Sequence, residues 1–141
     1  MTEIIKKDTD YAMRMLTELA RNDGKSPVAA KKLAVAGGVP EDFAYKILRK
    51  LTKAGLAAGS MGSRGGFKLG KKPKDIALID VLSAIQGPVT VRKCCLALDC
   101  CERQSECEIS KAMSSIQNNL TRSLQKITLT DILKETKRSD R

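Results

Sequence analysis

The chain of 141 residues contains no histidine. That absence removes Ser-His-Asp and Cys-His nucleophile pairs, an imidazole general base and every His-containing zinc site, and no enzymatic activity is expected. Also missing is any apolar run near the ~18–20 residues of a membrane-spanning helix, so no membrane partner is expected. The opening octet, Met1 to Asp8, has neither an apolar core nor a small-residue cleavage site. A secretory leader is therefore not expected, and the cytoplasm is the expected compartment. In that reducing setting the five cysteines are poor candidates for structural disulfides, and metal or redox chemistry is the better expectation. A chain of this length can bury one real core but not two independent ones.

Acidic residues are sparse against basic ones, 16 to 26, and the imbalance is uneven. Residues 1–75 hold 16 Lys/Arg and 8 Asp/Glu, net +8, whereas residues 76–141 hold 10 and 8, net +2. A basic first half suits a polyanion-binding domain, because neutralising phosphates supplies most non-specific affinity. A solvated basic surface that only aids solubility is the plain alternative.

The apolar spacing predicts a helix over residues 9–22, with Ala12, Met15, Leu16, Leu19 and Ala20 on one stripe and Asp8 or Thr9 as cap. Ser26 and Pro27 predict the cap and first position of a second helix, Val28 to Ala36, and Gly37-Gly38 a tight turn. A third helix starts at Pro40-Glu41-Asp42, with Phe43, Ala44, Ile47, Leu48 and Leu51 expected inside and Gly55 closing it. Its outward face is Glu41, Asp42, Tyr45, Lys46, Arg49, Lys50 and Lys53. Leu56-Ala57-Ala58 and Phe67-Lys68-Leu69 flank a Gly-rich loop and predict a β-hairpin. That loop lacks the Gly-Lys-Ser/Thr ending of a phosphate-binding loop, and no helix follows it. Two short helices with a Gly turn, then a hairpin, spell a winged helix-turn-helix, in which the second helix enters the major groove.

Beyond the basic link Lys71 to Lys74, a fourth helix is expected over Ala77 to Gln86, stopped by Gly87-Pro88. The longest helix runs from Glu108 to about Lys126, with Ile109, Ala112, Met113, Ile116, Leu120, Leu124 and Ile127 along a narrow seam. Its other positions are mostly Ser, Gln, Asn, Thr and Lys. That composition favours a dimer-forming helix over the core stripe of a monomer. Thr130 is the expected cap of a last short helix with Ile132 and Leu133, and Glu135 to Arg141 reads as a charged, disordered tail. The fold expected is mainly α with a small β-hairpin wing. A winged helix-turn-helix DNA-binding domain spans 1–75, a cysteine loop and dimerisation helix 76–134, and a tail 135–141.

All five cysteines, Cys94, Cys95, Cys100, Cys101 and Cys107, fall within 14 residues. Two Cys-x2-Cys knuckles, which structural zinc prefers, are absent. Cys94-x6-Cys101-x5-Cys107 is a wide-loop spacing able to wrap an object larger than one ion, as iron–sulphur clusters held by thiolates require. Arg92, Lys93 and Arg103 place positive charge beside such a group. The spacing leaves three readings open: a cluster, zinc, or thiols that oxidise, the last allowed by the adjacent pairs Cys94-Cys95 and Cys100-Cys101.

Several stretches resemble the Rrf-two family of bacterial transcription regulators, over essentially residues 5–134. They are Thr9 to Arg14, Tyr45 to Leu51 with Ala54-Gly55-Leu56, Arg64 to Leu69 in the wing, Asp80-Val81-Leu82 and Ile127-Thr128-Leu129. Cys94-x-Leu96-Ala97-Leu98-Asp99-x-Cys101, followed by Cys107, is similar to the family's cluster loop. The resemblance implies a homodimer that binds double-stranded DNA, acting as a repressor. Its promoter affinity is set by a 2Fe–2S or 4Fe–4S iron–sulphur cluster that senses redox state, nitric oxide or iron–sulphur status. The basic first half and the outward polar face of the third helix place Tyr45, Lys46 and Arg49 in the major groove, with Glu41, Asp42 and Lys50 among the expected DNA-binding residues, and Arg64 and Lys68 of the wing on the backbone or minor groove. IscR-like members take their fourth ligand from a histidine three residues after the last cysteine; that position is Ser110 here. NsrR-like members use an Asp near the start of the first helix of the partner subunit, and the matching position is Asp10. A helix-start carboxylate is the plain alternative for Asp10, and Cys95 or Cys100 can supply an all-cysteine site instead. The competing functions are a regulator that senses through thiol oxidation or zinc without a cluster, and a small redox electron carrier. The carrier leaves the basic winged helix unexplained.

Overall fold

The computed structural model describes residues 1–22, 26–95, 102–103 and 106–139, with side chains to Glu135 in the last helix. Among these, six helices and one hairpin follow in order: α1 (Lys7–Arg21), α2 (Ala30–Gly37), α3 (Glu41–Lys53), β1 (Ala57–Ser60), β2 (Gly66–Leu69), α4 (Leu78–Gln86), α5 (Glu108–Lys126) and α6 (Leu129–Ser139). Short 3-10 turns lie at Pro73–Asp75 and Lys93–Cys95. The architecture is the expected one, mainly helical with a two-stranded antiparallel wing. Among the described residues no helix is long and apolar enough to cross a membrane.

One core holds α1 to α4 and the base of the wing together. Ala12, Met15, Leu16 and Leu19 of α1 meet Leu33 and Ala34 of α2, Ala44, Ile47, Leu48 and Leu51 of α3, and Val81 and Ile85 of α4. Leu56, Ala57 and Leu69 close the side under the wing. Phe43 departs from the expected stripe: it is 44% exposed. Ala44, Ile47, Leu48 and Leu51 already fill the three-four ridge, which leaves position 43 at its edge, with the ring 6.3 Å from Tyr11.

Two expected helix starts shift for tertiary reasons. Val28 does not open α2. Its N–H and carbonyl exchange 2.8 Å bonds with the carbonyl and N–H of Phe67, so the helix waits until Ala30 with Ala29 as N-cap. Neither Ser26 nor Pro27 takes the role assigned to it. Gly66 makes this junction possible, because a Cβ there would lie 2.4 Å from the Val28 carbonyl oxygen. Helix α1 begins at Lys7 without a side-chain cap, and neither Asp8 nor Thr9 serves as one. Thr9 is wholly buried and donates from Oγ1 to Gln86 Oε1 at 2.7 Å.

The wing pairs Ala57 with Leu69, Ala58 with Lys68, Gly59 with Phe67 and Ser60 with Gly66. After α4 the chain leaves the winged domain, and after α5 it returns. The Leu78 N–H bonds the Ile127 carbonyl at 2.8 Å, and the Leu129 N–H bonds the Ile76 carbonyl at 3.1 Å. Leu129 is buried in the main core, and Ile132 packs against it.

The cap of α6 is Thr128 rather than Thr130. Asp131 Oδ2 accepts from the Thr128 N–H and Oγ1, both at 3.0 Å, and Thr128 Oγ1 accepts from the Asp131 N–H. This reciprocal box satisfies donors at the helix start, and α6 then continues to Ser139, through residues expected to be a disordered tail. Those hydrogen bonds, with the nearby Lys134 charge, hold the Asp131 carboxyl below the usual carboxylate range. A carboxyl whose folded value lies below its unfolded one stabilises the fold above the unfolded value and ceases to do so as pH falls through the folded one. Acidification through that window should therefore erase the helical chemical shifts of residues 129–134 before the α1–α3 core melts. Asp131→Ala should show the same loosening at neutral pH; helical shifts that persist in both cases would refute the capping role.

Candidate nucleic-acid interface and cysteine loop

Helix α3 turns its apolar ridge inward, and the 3.6-residue period then forces Glu41, Asp42, Tyr45, Lys46 and Arg49 outward, where all are exposed. Glu41 and Asp42 stand in the first turn, Lys50 and Lys53 in the last, both favourable to the helix dipole. Lys46 Nζ lies 5.9 Å from the centre of the Phe43 ring. Lys50 is committed elsewhere: its Nζ donates to the Ile85 carbonyl at 3.2 Å, near the end of α4. It ties α3 to α4 as well as presenting a charge. In the wing Arg64 and Lys68 are exposed. Arg64 also lines a cavity of about 440 Å³ with Lys32 of α2 and Glu18 of α1.

Asp10 sits on the first turns of α1 and pairs with Arg14 at 2.8 Å, both side chains about half exposed. Arg14 in turn reaches the Gly37 carbonyl at 3.5 Å, in the turn before α3, and lies 5.7 Å from the Tyr11 ring centre. Cys94 and Cys95 occupy the 3-10 turn that packs against α5, and Cys107 is the residue before α5. All three are partly exposed and none is in a disulfide. Cys100 and Cys101 lie outside the described residues. Among the described residues no three Cys, Asp or Glu side chains converge as a metal group.

By donor chemistry alone, thiols that precede and follow the segment 96–106 suit thiolate-to-iron bonding, and the chain has no imidazole to complete a His-containing zinc site. Cys94, Cys101 and Cys107 would hold an iron–sulphur group, with Cys95, Cys100 or Asp10 as further donors.

Two glutamines that the sequence pattern does not single out fix this region. Gln117, on α5, accepts from the Val91 N–H at 2.7 Å through Oε1 and donates from Nε2 to the Val89 carbonyl at 3.0 Å. Gln86, the last residue of α4, accepts from the Lys6 N–H and Thr9 Oγ1 and donates to the Ile4 carbonyl at 2.8 Å. The sole hint in the sequence is a Gln beside an apolar seam, which is too common to mark a clamp. Between these clamps lies a cavity of about 520 Å³ lined by Ile4, Pro88, Val89, Val91, Ile116 and Leu120. On α5 itself Leu124 is buried, whereas Ile109 and Ile116 remain 60% and 50% exposed.

Comparison with known proteins places this architecture. A family model described as an iron-dependent transcriptional regulator, Rrf2, matches residues 5–135. The protein rrf2 of Nitratidesulfovibrio vulgaris is 29% identical over 125 residues, which cover 89% of this chain and 83% of that protein. The HTH-type transcriptional regulator IscR of Vibrio atlanticus is likewise 29% identical over 125 residues, covering 89% and 72%. The solved structure of CymR, the global cysteine regulator of B. subtilis, superposes with a TM-score of 0.74 at 24% identity, covering 94% of this chain and 96% of that one. With a family model matching nearly the whole length of a helical fold with a two-stranded wing, the chain belongs to the Rrf2 family of transcriptional regulators.

Proposed function

We propose that the chain is a cytoplasmic homodimeric repressor that binds duplex DNA through α3 and the wing, with an affinity set by an iron–sulphur cluster in the loop 92–107. The observation that carries this reading is the pairing of an exposed basic α3 and wing with thiols at both ends of one loop on the same small fold. Tyr45, Lys46 and Arg49 face base edges, with Glu41 and Asp42 at the entering end of the helix. Lys50 positions α3 as well as adding charge, and Arg64 and Lys68 follow the backbone beside it. The winged unit, residues 1–75, is the DNA-binding part, and 76–134 the sensing and dimerising part.

When bound, a cluster supplies iron–thiolate redox and ligand-exchange chemistry. The chain's own residues link that site to DNA. Gln117 holds the stem of the loop at Val89 and Val91, four and six residues beyond the Ile85 carbonyl that Lys50 grips. Gln86 beside it holds the N-terminal segment. A change in the course of 92–107 therefore pulls on α3 and α1 together through short, bonded steps.

A second reading keeps the DNA-binding role and makes the thiols themselves the sensor, and the adjacency of Cys94 and Cys95 on one partly exposed turn favours it. Anaerobic purification separates the two. The cluster reading requires brown protein with absorbance between about 300 and 450 nm from thiolate-to-iron charge transfer. Cys94→Ala, Cys101→Ala or Cys107→Ala should each give colourless protein, whereas Asp10→Ala should stay coloured and lose the cluster at an altered rate in air. Colourless wild-type protein selects the thiol reading.

For DNA, Arg49→Ala or Arg64→Ala should weaken binding and make the salt dependence shallower by about one unit for each phosphate no longer neutralised. Titrations across salt concentrations that show no change would remove those residues from the interface.

The exposed side of α5 and the apolar cavity beside it suit a second copy. Asp placed at Ile116 or Leu120 puts an unpaired charge into that seam and should cost about 3–5 kcal/mol of association. An unaltered dimer in sedimentation of the doubly substituted chain would refute this seam.

A further inference from the structure

The wing ends in a turn built to project one apolar side chain. Strand β1 stops at Ser60 and β2 begins at Gly66, and within the turn the Gly65 N–H bonds the Gly62 carbonyl at 2.9 Å. The packing is close: a Cβ on Gly65 would lie 2.4 Å from the Ser60 carbonyl oxygen and 2.8 Å from the Met61 carbonyl carbon. The backbone on either side of Met61 is thus tied down, yet the Met61 side chain is fully exposed. It contributes nothing to the core, which ends at Leu69, Ala57 and the partly buried Phe67. A flexible, polarisable thioether cannot neutralise a phosphate, so the basic logic of Arg64 and Lys68 does not extend to it. Its chemistry suits the floor of a DNA minor groove, where apolar side chains pack against sugars and base edges or wedge between base steps.

We propose that Met61 is a specificity-determining residue that enters the minor groove and reads the width and deformability of the flanking DNA by apolar contact. This rests on the DNA-binding reading above and not on the cluster. The contribution is independent of salt, because no counterion leaves when a thioether packs against a base step. It selects among sequences by how readily their steps open, without a hydrogen-bond code.

The test uses the full chain and a duplex enriched by the wild-type protein from a random pool, then re-randomised only in the segments flanking the two α3 contacts. Met61→Ala should weaken binding to the preferred duplex about tenfold. It should leave the slope of log affinity against log salt unchanged and flatten the flanking preference in the sequenced bound fraction. Met61→Leu, which keeps the apolar bulk, should retain most of both. Arg64→Ala should do the reverse, with a slope shifted by about one and the flanking preference kept. Met61→Ala that matches the wild type in affinity and flanking preference overturns the proposal, as does a change confined to the salt slope. A wild-type chain that enriches no duplex overturns the DNA-binding reading itself, and this inference with it.

Discussion

A pair of backbone hydrogen bonds sets the geometry of the chain beyond the wing. By joining Leu78 to Ile127 and Leu129 to Ile76, the chain pins the start of α4 to the end of α5. The two helices must then run antiparallel from a common end. At 1.5 Å per residue, the nine residues of α4 span about 14 Å and the nineteen of α5 about 28 Å, so α5 overshoots its neighbour by roughly half its length. The segment after Gln86 has to climb the remaining length of α5, and Gln117 holds it there at Val89 and Val91. Cys94 and Cys95 consequently arrive against α5, on the side toward its start at Cys107. The turn that holds Cys94 and Cys95 is thereby packed against the same helix that Cys107 precedes.

The same pinning explains the tail. A last helix of eleven residues with a charged second half has little reason to persist alone. Here its first turn is fixed three ways: by the bridge of Thr128 to Ala77, by the Thr128–Asp131 box, and by Leu129 in the core. Nucleation is the costly step for a helix, and tertiary structure supplies it. A charge-rich composition after Ile132 and Leu133 reads as disorder because the nucleus lies upstream, in a contact with residue 77 that no local pattern announces.

Most of the fold was legible because it rests on local periodicity. The stripes of α1, α3 and α4, the Gly-rich wing and the limits of α5 all follow from spacing and from turn residues. Two of the misreadings share a cause: a long-range partner claimed a residue that local rules had assigned elsewhere, as Phe67 took Val28 from α2 and Gln86 took Thr9 from capping. Phe43 instead lies at the edge of a ridge that its neighbours fill, and the α6 cap moved to Thr128 through the local box with Asp131. In the candidate site the outward face of α3 was legible residue by residue, since inside and outside are fixed once the ridge is known. The clamps were not, because a glutamine carries no signature until its partners, here 26 to 82 residues away, are in place.

These clamps gather the ties to α3, to the N-terminal segment and to α5 on one short stretch of chain. Lys50 grips the carbonyl of Ile85, Gln86 grips the N-terminal segment, and three residues later Val89 is gripped by Gln117. Gly87 and Pro88 lie between: Gly87 takes a φ of +87°, which favours glycine, and Pro88 fixes its own φ. On the α1 side Asp10 pairs with Arg14, which reaches the Gly37 carbonyl at the end of α2, four residues before α3 starts. Lys50 is thus a direct tie to α3, near its last turn, and Arg14 holds the helix that precedes it. Partly exposed, singly bonded links are weak individually, so each of these ties costs little to break.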